Sequence, residues 1–250
     1  MPGTIVGDKL NRPGAILRTQ KALSTSGLSA KEARRLVYLD DNGAMGTDQS
    51  PTKDHILNCG ERLIASKGFV GVGLSEILTA ASVPKGSFYH YFSSKERFGE
   101  ELLNRYLDDY VAQLDDVLKA DGASARSRLM RYWSSWKVSQ CEVSDSSCPE
   151  PQTGSKCLIV KLSAEVADIS ESMRLTLRGG TDRVVQRIAQ CLEDARLDGS
   201  VAPGLDAAET ALTLYELWLG ASLLAKLRRD GTPFDHALIS TERVLGPAAN

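Results

Sequence analysis

From Thr52 to Leu245 apolar residues recur at three- and four-residue steps, and no stretch alternates in the manner of a half-buried strand. That periodicity restricts the chain to packed helices. Thr52 is a good N-cap, and Ile56, Leu57, Cys59, Gly60, Leu63 and Ile64 form one stripe until Gly68 ends the first helix. Ser75 can cap a short second helix through Ile77 and Leu78, the Ser82-Val83-Pro84 turn stops it, and a third runs from Lys85 to Phe92. Ser94 starts a long fourth helix reaching about Leu118, and further helical patterns occupy 123–141, 157–168, 170–197, 206–229 and 233–245, with a loop at 142–156. The expected fold is all-α. A small N-terminal three-helix unit over 51–98 precedes a larger helical bundle over 99–250.

Residues 1–50 mix Gly, Ser, Pro, Asp and Arg without a sustained apolar face, although 29–39 could form a short helix. A loosely ordered extension is expected there. MGTDQSPTKDHIL from Met45 reads as a short polar lead-in to the first helix, which makes Met45 an alternative start. The competing reading is a basic arm that touches DNA backbone.

A bihelical DNA reader needs two short helices at a steep angle, a rigid turn, and polar groups on the outward face of the second helix. LSEILTAASVPKGSFYHYF supplies these parts. Phe88, Tyr91 and Phe92 stand at i, i+3 and i+4 and should pack against Ile56, Leu63 and Ile77. Lys85, Ser87, Tyr89 and His90 are then left facing a DNA groove, and Lys95 adds a cation at the start of the next helix for a phosphate. The net charge of -2 means that any basic surface is local. The partner inferred from these residues is double-stranded operator DNA.

The run GFVGVGLSEILTAASVPKGSFYHYFSSKERFG resembles the signature of the TetR family of repressors. CLIVKLSAEVADISESMR and LYELWLGASLLAK extend that resemblance to the branch of the family that responds to electrophiles and to acrylate. Such a resemblance implies a homodimer built on the last two long helices, 206–229 and 233–245, and a sensor in the larger bundle.

Cys157 lies at the first turn of its helix, beside Lys156 and one turn before Lys161, and helix-end amides and ammonium groups both favour a thiolate. A small cysteine used as packing is the competing reading. The resemblance assigns Cys157 as the redox-sensitive thiol and Lys226 as its partner. By position alone Lys226 is equally a surface lysine at a helix end. Tyr132, Trp136 and Trp218 could line an apolar ligand cavity or could be ordinary core. The inducer expected from these features is a small electrophile, an oxidant or an acyl ligand.

Five cysteines scattered over the chain read as reduced thiols, and their spacing suits no zinc site; Cys141 and Cys148 could resolve an oxidised Cys157. No cofactor, metal or membrane partner is expected, and the chain lacks the features of a signal peptide, which points to the cytoplasm. An enzyme with a cysteine nucleophile would need a base near the thiol, and no Cys/His spacing, phosphate loop or nucleophile elbow indicates one.

Overall fold

The computed structural model describes residues 50–141 and 157–247. Among these residues the elements are all helices: α1 Pro51–Lys67, α2 Leu74–Ala80, α3 Lys85–Tyr91, α4 Lys95–Leu118, α5 Ala125–Cys141, α6 Leu158–Ala167, α7 Glu171–Leu197, α8 Ala207–Arg228 and α9 Thr232–Leu245. The extension, Met45, Cys148 and Lys156 lie outside the described residues, as does the side chain of Cys141.

Local chemistry sets the helix ends. α1 starts two residues earlier than expected, because Pro51 has no N–H to lose and its fixed φ suits the first helical position; Ser50, not Thr52, is the cap residue. At α2 the cap position falls on Gly73 and Ser75 sits within the first turn, its carbonyl accepting from the Thr79 hydroxyl at 2.9 Å. Ser82 carries the turn into α3 with φ +51°, a left-handed conformation in a non-glycine residue. Ser94, Ser170 and Asp206 cap α4, α7 and α8, each accepting from the backbone amide three residues on.

α1 to α3 and the start of α4 share a core of Ile56, Ile64, Ile77, Phe88, Phe92 and Phe98, all fully buried. At Gly60 a Cβ would lie 2.3 Å from the Phe98 ring, so α1 and α4 approach as closely as only a glycine permits. Glu61 and Arg105 reinforce that crossing at 3.0 Å, and Lys53 and Glu101 at 2.8 Å. Further along, α4 packs on α7 through Gly180, where a Cβ would meet Leu107 at 2.3 Å. The interior of the larger bundle is aromatic. Trp133 of α5 stacks on Trp218 of α8 with centroids 4.8 Å apart, and the Trp218 indole donates to Thr241 of α9 at 3.0 Å. α4 is therefore common to both cores.

Candidate nucleic-acid interface and sensor cavity

α3 has two faces of opposite character. Phe88 is inserted among Phe92 and Phe98, with ring centroids 5.1 and 5.5 Å away. Tyr91 is half-buried at the edge, and its hydroxyl pairs with Ser50 at 2.8 Å. Lys85, Tyr89 and His90 face solvent, and Ser87 is half-buried beside them. Tyr89 is 48% exposed, and the Lys85 ammonium lies 5.7 Å from its ring centroid. An exposed aromatic flanked by a cation gives this face both an apolar edge for a base and a charge for a phosphate.

Lys95 is placed differently from the expectation. Its ammonium donates to the Phe69 carbonyl at 2.7 Å and lies 4.4 Å from the Phe69 ring centroid. Burial lowers its pKa, against the raising effect of Glu96 and Glu165. The charge is thus committed to the turn after α1.

A cavity of about 190 Å³ opens in the larger bundle between α4, α5 and the start of α6. Tyr106, Tyr110, Tyr132, Trp136, Gln113 and Cys157 are among its walls. The Tyr110 and Tyr132 hydroxyls pair at 2.8 Å, and the Tyr106 hydroxyl accepts from the Leu158 amide at 3.3 Å. Trp136 donates its indole N–H outward to Ser222 at 2.9 Å. Burial pushes the tyrosines Tyr106, Tyr110 and Tyr132 well above the usual phenol range, so all three are neutral donors at ordinary pH.

Cys157 is the cap residue of α6 and only 5% exposed. Burial pushes its thiol up, more than the Val160 amide, the Tyr106 hydroxyl and the Ile159 amide pull it down. The expected free thiolate is therefore corrected: desolvation outweighs the helix end. Lys161 does not assist, because its ammonium reaches away to the end of α1, donating to the carbonyls of Ala65 at 2.6 Å and Ser66 at 2.5 Å.

That contact is half of a link between α6 and the reading unit. One turn further on, the Glu165 carboxylate accepts from the backbone amides of Phe69, at 3.1 Å, and Val70. A lysine satisfies the last carbonyls of α1 while a glutamate satisfies the amides that follow it. Sequence reasoning missed this pair. Its only local signal is two charged residues spaced i, i+4 on a helix otherwise rich in apolar residues.

Two segments match profiles of known families: residues 56–102 match "Bacterial regulatory proteins, tetR family" and residues 125–240 match "Tetracyclin repressor-like, C-terminal domain". The chain is 39% identical over 198 residues to the HTH-type transcriptional repressor NemR of Escherichia coli K12, covering 79% of this chain and 96% of that protein. This chain belongs to the TetR family. It is also 32% identical over 180 residues to the transcriptional regulator AcuR of Cereibacter sphaeroides, covering 72% of this chain and 78% of AcuR. The crystal structure of reduced E. coli NemR superposes with a TM-score of 0.72 at 38% identity, over 80% of this chain and 100% of that one.

Within this TetR-family chain the expected sensor residues divide. Cys157, Tyr132 and Trp136 share the cavity. Trp218 is fully buried in the core behind Trp136, with ring centroids 6.2 Å apart, and is not among the cavity walls. Lys226 is exposed in the last turn of α8 and is not among the described walls of the cavity that Cys157 lines. An ammonium at that helix end keeps its hydration and meets the negative end of the dipole. A Cys/His proximity that spacing had not indicated occurs in α1, where His55 Nε2 lies 3.8 Å from Cys59 Sγ. Cys59 is buried, accepts from Arg62 at 3.3 Å and faces the Ala80 carbonyl at 3.6 Å, contacts that belong to packing within the reading unit.

Proposed function

We propose that the chain is an operator-binding transcriptional repressor, released from DNA when a small electrophile enters the α4–α5–α6 cavity and is captured by Cys157. The observation that carries this reading is the position of α6. Its first turn presents Cys157 to the cavity, and Lys161 and Glu165 on the same short helix grip the end of α1 and the turn leading to α2. An occupant that displaces α6 moves the reading unit with it.

An engineered apolar cavity of about 150 Å³ takes benzene, so about 190 Å³ suits a single ring or a short enone. With an α,β-unsaturated carbonyl compound the thiol loses its proton to solvent, the sulfur–carbon bond forms at the β-carbon, and the displaced π pair takes a proton from water at the α-carbon. With a peroxide, the thiolate takes one oxygen as the O–O bond breaks, leaving hydroxide and a sulfenic acid. The second reading is a ligand held without bond formation, such as a small acyl compound. It is favoured by the buried, protonated state of the thiol.

Reading heads act in pairs, and the larger bundle offers a surface for pairing. Leu212, Leu223, Leu224 and Leu227 of α8 and Ile239 and Val244 of α9 are exposed large apolar residues on the single chain. Such a set supports a homodimer through α8 and α9.

The test uses a DNA fragment selected from a random library by the protein itself, with binding followed by fluorescence anisotropy. Cys157→Ser should bind that fragment like the parent and fail to release it on adding a small enone, while the parent shows the adduct on Cys157 by mass spectrometry. Normal release from Cys157→Ser hands the role to the non-covalent reading.

A further inference from the structure

We propose that Tyr106 is a positioning residue for Cys157, its hydroxyl steadying the sulfur as thiol becomes thiolate and thereby setting how fast that sulfur captures a small electrophile. The proposal rests on the reading of the cavity as the sensor.

Tyr106 projects from α4, is 8% exposed, and shares the cavity wall with Cys157. Its oxygen accepts from the amide of Leu158, the residue immediately after Cys157, at 3.3 Å. That bond occupies a lone pair and leaves the hydroxyl hydrogen to be donated elsewhere. Cys157, the residue before Leu158, lies on the same cavity wall as that hydroxyl.

The titratable groups that face Cys157 from the described elements are Tyr106 and Tyr110 of α4, Tyr132 of α5 and Tyr215 of α8. No charged side chain lines the cavity among the described residues, so a thiolate there depends on neutral donors. The Tyr110 and Tyr132 hydroxyls are engaged with each other, and the buried Tyr215 hydroxyl has no hydrogen-bond partner. Tyr106 is the phenol tied to the backbone of α6, at the residue that follows Cys157. Burial raises its pKa, which favours the protonated form that can donate.

Iodoacetamide is a suitable probe because it is small and neutral and needs no co-reactant. The thiol proton passes to solvent, the sulfur–carbon bond forms as the carbon–iodine bond breaks, and iodide leaves with the bonding pair. Rates at Cys157 are read by peptide mapping on the full chain without DNA. Tyr106→Phe should react about tenfold more slowly near neutral pH, with the midpoint of the rate–pH profile raised by about one pH unit. Tyr110→Phe, which loses a hydroxyl engaged with Tyr132, should move the midpoint less than Tyr106→Phe does. Fluorotyrosine in place of Tyr106, a stronger donor in the same shape, should lower the midpoint, and this arm stands even if Tyr106→Phe folds poorly. Parent-like rate and midpoint in Tyr106→Phe overturn the proposal, as does an equal rise in Tyr110→Phe or an unmoved midpoint with fluorotyrosine. A Cys157→Ser protein that still releases DNA would instead overturn the sensor reading and leave these rates unchanged.

Discussion

Glu165→Ala is the perturbation that isolates the link between sensor and reading unit. The carboxylate accepts from the amides of Phe69 and Val70, the first on a residue only 3% exposed and the second on one 63% exposed. Water replaces the acceptor at Val70, whereas an unpaired amide at a buried position costs about 1–3 kcal/mol. The expected loss of unfolding free energy is therefore about 2 kcal/mol, nearly all of it from the Phe69 side. For a chain of this size about 1 kcal/mol moves the melting temperature by roughly 2–4 °C, so the fall should be about 4–8 °C. Glu165→Gln retains a carbonyl oxygen for one amide and should lose about half as much. Stability alone would describe any structural contact. The decisive assay is the ratio of operator dissociation constants with and without a saturating small enone, which should shrink in Glu165→Ala, by up to about 30-fold if the whole 2 kcal/mol is coupling. A melting temperature within a degree or so of the parent together with an unchanged ratio would refute the reasoning.

Tyr89→Ala should weaken operator binding by anisotropy while leaving the melting temperature in place, since the side chain is half in solvent; Lys95→Ala should do the reverse in stability, because its ammonium holds the Phe69 carbonyl. Leu227→Glu, at a position 71% exposed on the single chain, should shift the sedimentation coefficient from dimer to monomer at micromolar concentration. Gly180→Ala places a methyl 2.3 Å from Leu107 Cδ1, forcing α4 and α7 apart at a cost of about 1–3 kcal/mol in chemical denaturation.

Helical spacing and the Ser82-Val83-Pro84 turn were enough to read the reading unit from the sequence, because Phe88 within a seven-residue helix and Phe92 just after it are buried, while Lys85 and Tyr89 are left exposed. Burial of Tyr132 and Trp136 around a cavity was legible as an alternative but not as a decision, since an aromatic stripe at helical spacing serves a core and a pocket equally. Lys95, Lys161 and Glu165 were illegible for another reason. Their partners are backbone atoms at 65–70, and Lys161 and Glu165 reach them from about ninety-five residues away, so local spacing shows at most the i, i+4 charges and not what they bind. Lys226 could not be decided by position alone, because a lysine in the last turn of a helix fits a buried face and a solvated end equally; its side chain is exposed although Ser222, one turn earlier, is buried.

The chemistry available to Cys157 is decided by magnitudes. A helix N-terminus is worth about 0.3–1 kcal/mol to an anion at an exposed site, up to about 2 in favourable partly buried ones, whereas taking an ion out of water costs several kcal/mol. The raised thiol pKa follows from that inequality, and the same inequality acts on whatever enters the cavity. Its described walls are tyrosines, serines, glutamines, a tryptophan and aliphatic residues, none of which can neutralise a carboxylate. A carboxylate-bearing reagent must therefore shed its hydration for dipoles alone, while a neutral amide of the same size gives up far less. Iodoacetamide and iodoacetate differ by little more than that charge. In the folded chain the ratio of their rates at Cys157 should exceed the ratio in the urea-unfolded chain by about 100-fold, the equivalent of about 2.7 kcal/mol. Both rates come from one peptide-mapping experiment, and Cys157 in the unfolded protein supplies the reference with identical intrinsic chemistry. Equal ratios in the two states would mean that the sulfur meets its reagents at a wet, charge-tolerant surface, and the cavity would then have no part in choosing the inducer.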